Sequence, residues 1–153
     1  MMTRDSALIE YLKILAPYIG MTLRVDEHGV CRLRLREGLS IEISSTLNEG
    51  FRVVALLAEL PAGRFRQQVM TAALRFNGGS PPPWSTLAYT VKHSRLILQL
   101  ELPPGSGEEL VRTRFTEFLE LAVQWQDSLK AGGGFPEPAA KLPSMLDQGR
   151  RLP

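Results

Sequence analysis

Residues 31–57, CRLRLREGLSIEISSTLNEGFRVVALL, decide the architecture. Cys31, Leu33 and Leu35 alternate with Arg32, Arg34 and Arg36; Leu39, Ile41 and Ile43 alternate with Ser40, Glu42 and Ser44. A period of two puts the two sets on opposite faces of a strand, so each segment has one dry and one wet face. For Leu35 and Leu39 to share a face, the chain must turn through Arg36-Glu37-Gly38. A three-residue hairpin loop favours a left-handed third residue, and a glycine stands there. This register sets Leu33 opposite Ile41 and Arg32 opposite Glu42, an opposite-charge pair worth about 0.2–1 kcal/mol. Asn48, Glu49 and Gly50 mark the next turn. The third strand, residues 51–57, is different: Phe51, Val53, Ala55 and Leu57 line one face, while Val54 and Leu56 make the other face apolar too. A strand apolar on both sides is expected to be covered on both sides, by this chain or by another.

The flanking segments are helical. Leu8, Leu12, Leu15 and Ile19, with Tyr11 beside them, recur on one helical face, and the helix is expected over residues 4–16, stopped by Pro17 with Gly20 as the exit. A second helix is expected over residues 64–76, with Phe65, Val69, Ala72, Ala73 and Phe76 as its stripe. Asn77-Gly78-Gly79 ends it, and Pro81-Pro82-Pro83 prevents continuation. A second hairpin follows, in which Leu87, Tyr89 and Val91 match Leu100, Leu98 and Leu96 face for face, and Ile97 lies on the outer face. Ser106, with Glu109 three residues on, has the spacing of a capping box. The longest helix then carries Val111, Phe115, Phe118, Ala122, Trp125 and Leu129 at helical spacing. Gly132-Gly133-Gly134 ends it as a linker, and residues 131–153 read as a flexible Gly- and Pro-rich tail after a folded unit of residues 1–130. The fold class is α+β, an antiparallel sheet of five strands with three helices in the order α-β-β-β-α-β-β-α.

Composition narrows the function. Of 153 residues, 44% are apolar, enough for a core. The longest apolar run, residues 53–58, is far short of the ~20 residues that cross a bilayer. Asp5, Glu10 and Lys13 interrupt the first apolar segment, so it does not read as a secretory signal. The single cysteine, Cys31, has no internal partner and fits a reducing compartment. The net charge is +2, and no four basic residues run together. A small basic nucleic-acid-binding domain is therefore the alternative reading and not the first. His28 and His93 fall in expected turns with no neighbouring carboxylate or nucleophile motif, and no Cys/His spacing suits a metal. Gly78-Gly79 follows a helix instead of opening one, so no phosphate cradle is indicated. The expectation is no catalytic residue, no metal and no cofactor: a binding module and not an enzyme. Arg34, in the basic stripe, is a candidate for an acidic partner.

In length, order and local pattern, residues 4–130 resemble the class I type III secretion chaperones, the Tir-chaperone family. The resemblance is carried by Tyr18-Ile19-Gly20 at the end of the first helix and by VCRLRL at residues 30–35. It continues with VVALLAELP at 53–61, LRFNGG at 74–79, LILQLEL at 96–102 and a long last helix closing near Trp125. It implies a homodimer in the bacterial cytosol that holds the N-terminal region of a secreted effector in extended form and keeps it competent for secretion. It uses no ATP itself, and the secretion ATPase is a further implied partner; no nucleic acid is bound and no membrane entered. An extended segment can be held by strand addition and by apolar pockets. Val54, Leu56 and Ile97 are the candidates on the sheet, and exposed members of Leu8, Leu12 and Leu15 on the first helix. The resemblance places the dimer interface on the second helix and fourth strand, at Val69, Ala73, Phe76, Trp84 and Leu87.

Overall fold

Alternation and helical stripes resolve into the expected order of elements. A computed structural model of the chain describes residues 4–35, 38–80 and 83–138. Helix α1 is Arg4–Ile19, followed by strands β1 Cys31–Arg34, β2 Ser40–Ser45 and β3 Phe51–Glu59, helix α2 Arg64–Asn77, strands β4 Ser85–Thr90 and β5 Arg95–Leu102, and helix α3 Glu108–Ala131. The five strands form one antiparallel sheet in the order β1-β2-β3-β5-β4. The fold is thus α+β, with α1 and α3 on one face of the sheet and α2 against β4.

The first hairpin has the register read from its alternation. Arg32 lies opposite Glu42 and Leu33 opposite Ile41, the Leu35 amide donates to the Leu39 carbonyl at 2.8 Å, and Gly38 is left-handed at φ +78°. Arg36 and Glu37 of that loop lie outside the described residues. In the next turn the left-handed residue is Glu49, at φ +67°. Gly50 is needed for a different reason: a Cβ there would sit 2.5 Å from the Leu102 carbonyl oxygen and 2.8 Å from Thr46 Oγ1. Gly50→Ala is expected to destabilise the fold by about 1–3 kcal/mol, the usual range for overpacking against backbone. A urea midpoint unchanged from wild type would contradict this.

The core fills the space between the sheet and its two helices. Phe51, with its side chain fully buried, meets Tyr11 of α1 at 5.2 Å and Phe115 of α3 at 6.4 Å between ring centroids, both edge-on. Tyr11 also donates its hydroxyl to the Glu49 carbonyl at 2.8 Å, and burial pushes its phenol pKa up. All six residues of the α3 stripe are buried. On α2, Val69, Ala73 and Phe76 are buried, while Leu74 on the opposite face is 70% exposed.

Three local expectations are corrected. Helix α1 runs through Pro17 to Ile19. Pro17 and Lys13 both lie at the exposed surface, where a carbonyl that proline leaves without a donor is open to water. Ser106 does not cap α3: its hydroxyl donates to the Pro103 carbonyl at 2.7 Å, and Gly107 is the N-cap without a side-chain hydrogen bond. In the second hairpin the register is Leu87 opposite Leu98 and Tyr89 opposite Leu96. Val91 leaves the strand for a one-turn 3-10 helix, Val91–His93, closed by left-handed Ser94. The shift is by two residues, so the faces are kept. Within the segment read as a tail, residues 132–138 fold back over the helices, with Phe135 packed against the core; residues 139–153 lie outside the described residues.

Asn77 does more than end α2. Its side-chain amide donates to the Leu87 carbonyl at 2.8 Å and accepts from the Leu87 amide at 2.9 Å. It thereby imitates a neighbouring strand along the outer edge of β4. Loss of both bonds in Asn77→Ala is expected to lower stability by about 1–3 kcal/mol, read as an earlier denaturation midpoint; an unchanged midpoint would show that water replaces the amide without loss.

Candidate functional site

Strand pairing sets the outer face of the sheet, the face away from α1 and α3. Successive registers align Arg34, Ser40, Leu56, Ile97 and Ala88 in one cross-strand row. The next row is Glu42, Val54, Gln99 and Thr86, and the one beyond it Ser44, Arg52 and Glu101. Four residues singled out from sequence, Arg34, Val54, Leu56 and Ile97, therefore lie on one surface, in adjacent rows. Val54 and Leu56 are half-buried and Ile97 is 8% exposed, enclosed by its cross-strand neighbours.

This surface is a shallow groove of about 740 Å³ with Val54, Leu56 and Ile97 along its floor and Glu42, Arg52, Thr90 and Glu101 among its polar residues. No helix covers it. Arg52 Nε is buried without a hydrogen bond, and the Glu101 carboxylate lies 3.6 Å away as its ion-pair partner. Leu47, 86% exposed at the tip of the β2–β3 turn, lines the same groove. The polar members and Leu47 were not singled out from sequence; the outward positions of the alternation were the available signal for the former, and a lone apolar turn residue gives none.

One arginine of the basic stripe, Arg32, is neutralised. Arg32 donates to Asp26 at 3.0 Å and to Glu42 at 2.8 Å, and the hydrogen bond from Arg32 holds the Asp26 carboxyl below its usual range. Arg34 is exposed, and Arg36 lies outside the described residues. Both signs of charge line the groove, which does not suit a phosphate backbone.

Other sequence candidates are placed differently. Leu8, Leu12 and Leu15 are 0%, 6% and 0% exposed: they are packed into the core because α1 turns its whole stripe toward the sheet. Leu12 lines a surface groove of about 760 Å³ between α1 and residues 21–25. Val69, Ala73, Phe76 and Leu87 are likewise buried within the protomer, because α2 packs its small and aromatic face on β4. Trp84 is 51% exposed, with the Arg114 guanidinium 4.3 Å above its ring. His28 is exposed in a turn and His93 at the end of the 3-10 helix, and burial pushes the Cys31 thiol pKa up. Among the described residues no His, Cys, Asp and Glu side chains gather as a metal site, and no helix is long and apolar enough to cross a membrane.

No protein-family model matches the chain, and no curated protein matches it. Solved structures do. A chain of the HopA1–SchA chaperone–effector complex aligns with a TM-score of 0.61 at 17% identity, over 80% of this chain and 95% of that one. The Yersinia pestis type III secretion chaperone SycH, in complex with a stable fragment of YscM2, gives a structure with TM-score 0.56 at 17% identity, over 79% and 98%. The heterodimeric ExoU–SpcU complex from the type III secretion system of Pseudomonas aeruginosa gives 0.56 at 24% identity, over 75% and 93%.

Proposed function

We propose that this chain, which has the fold of class I type III secretion chaperones, is a cytosolic chaperone that holds the N-terminal region of an exported effector in extended form on the outer face of its sheet. The uncovered groove carries this reading: an apolar floor of Val54, Leu56 and Ile97 inside a polar rim, on a strand that is apolar on both sides. An extended segment alternates its side chains, so one set enters the floor while the other stays hydrated. Arg34, Glu42, Arg52 and Glu101 offer polar groups of both signs to its flanks. Nothing in this scheme calls for a reacting group.

The chaperone reading includes a homodimer. With the inner stripe of α2 committed to the protomer's own core, Leu74 on its outer face and Trp84 before β4 are the exposed apolar residues of this part of the chain that could serve it. Light scattering at micromolar concentration is expected to give twice the chain mass; the monomer mass would remove this part of the reading. The function itself is tested by isolating the full chain from its native cytosol. The expected companion is an exported protein whose N-terminal region resists proteolysis only while bound. Recovery of nucleic acid, released by salt, in place of any exported protein would overturn it.

A further inference from the structure

The glycines that follow α3 are part of a built turn. Gly132 and Gly134 are left-handed, at φ +82° and +72°, and the amides of Gly132 and Gly133 both reach the Ser128 carbonyl, at 2.9 and 3.1 Å. Ser128 Oγ donates to the Gly134 carbonyl at 2.9 Å. The chain is thereby reversed, and Phe135 is laid on the Trp125 indole with ring centroids 5.4 Å apart and planes 22° from parallel. Phe65 of α2 lies 6.4 Å from Phe135, and Phe76 packs edge-on to the indole at 5.9 Å. The result is an aromatic slot between α2 and α3, filled by a short strap of the same chain.

Two observations mark the slot as more than packing. Trp125 is fully buried, yet its indole N–H meets no acceptor among the described residues. A buried donor left unmade is costly and calls for a reason. In addition, the strap forms one wall, through Pro136 and Glu137, of a groove of about 460 Å³ that runs on to Trp84. This groove shares no lining residue with the one on the outer sheet face.

We propose that the slot is a second peptide-docking site, held closed by Phe135 and opened when an extended partner segment puts its own aromatic ring on Trp125. The strap itself defines the occupant: an aromatic residue followed by proline, in a segment with free backbone carbonyls, one of which accepts from the Trp125 indole. The glycine turn is the hinge, and Ser128 Oγ to the Gly134 carbonyl is the side-chain bond that must break. Such exchange reduces the apparent affinity of the intact chain by the fraction of time the strap is open. The inference does not depend on what binds the outer sheet face.

The test uses the full chain with Trp84→Phe, so that Trp125 is the fluorescent reporter, and a synthetic peptide of residues 131–138. With Phe135→Ala added, Trp125 emission is expected to shift to the red, and the peptide to return it to the blue with saturation. Its apparent affinity should be at least about tenfold tighter than for the chain with the strap intact. The same peptide carrying F135A should leave the emission unchanged. Absence of a saturable response in a folded variant, an equal response to the alanine peptide, or dimers formed by exchange of straps between copies would each overturn the proposal. If Phe135→Ala does not fold, Phe135→Leu decides by the same criteria.

Discussion

Leu56→Asp is expected to abolish capture of the exported partner while leaving the chain folded. Leu56 is half-buried at the centre of the row that joins Arg34 to Ala88, and it lies on the uncovered side of β3. In the free protein a carboxylate there stays hydrated, so the loss of stability is about 1 kcal/mol, mostly the poor fit of aspartate to a strand. In the complex the same carboxylate must be buried under an apolar side chain of the bound segment with no partner charge. A central position of this kind carries 2 kcal/mol or more, so affinity should fall on the order of 30-fold or further. Titration calorimetry and circular dichroism on the same sample check the two halves. Ile97 makes a poorer probe: it is 8% exposed, so a charge there also attacks the fold.

Phe51→Ala is expected to bring the largest loss of stability. The ring joins α1, the sheet and α3 through Tyr11 and Phe115, and removing a fully buried phenylalanine costs about 3–5 kcal/mol. That is a large share of the ~5–15 kcal/mol that holds a typical domain together. The melting temperature should fall by about 10 °C or more. A drop of only a degree or two would mean that α1 and α3 settle into the space, and that the three-element joint is less rigid than its geometry.

What was legible in the sequence follows from geometry that repeats. One-sided burial imposes a period of two, so the first hairpin, its Arg32–Glu42 pair and left-handed Gly38 could be read directly. The α3 stripe from Val111 to Leu129 is equally direct, because each residue needs only its own helix and one sheet face. The errors lie where a residue's role depends on something distant. Nothing local says that Ser106 prefers the Pro103 carbonyl to the α3 N-terminus, or that the helix survives Pro17 because Lys13 faces water. Asn77 looks like a helix end and becomes a strand surrogate only when β4 arrives beside it. Phe135 looks like a linker residue until Trp125 is underneath.

The candidate site was half legible for the same reason. Val54, Leu56 and Ile97 were identifiable because apolar residues at outward positions break the alternation. Leu8, Leu12 and Leu15 could not be divided between core and surface by spacing alone, since one helical stripe serves either purpose. Val69, Ala73, Phe76 and Leu87 were sought at an interface between copies, whereas α2 turns that face onto its own sheet.

The central claim is that the outer sheet face holds the N-terminal region of the exported partner. Site-specific photocrosslinking addresses it most directly. A photoreactive side chain is placed at Gln99, in the middle of the outer face, and in a second sample at Val123, exposed on α3. Crosslinks to the partner's N-terminal region from position 99 and none from position 123 are the expected result. Crosslinks from 123 alone would place the bound segment on the helices and contradict the account.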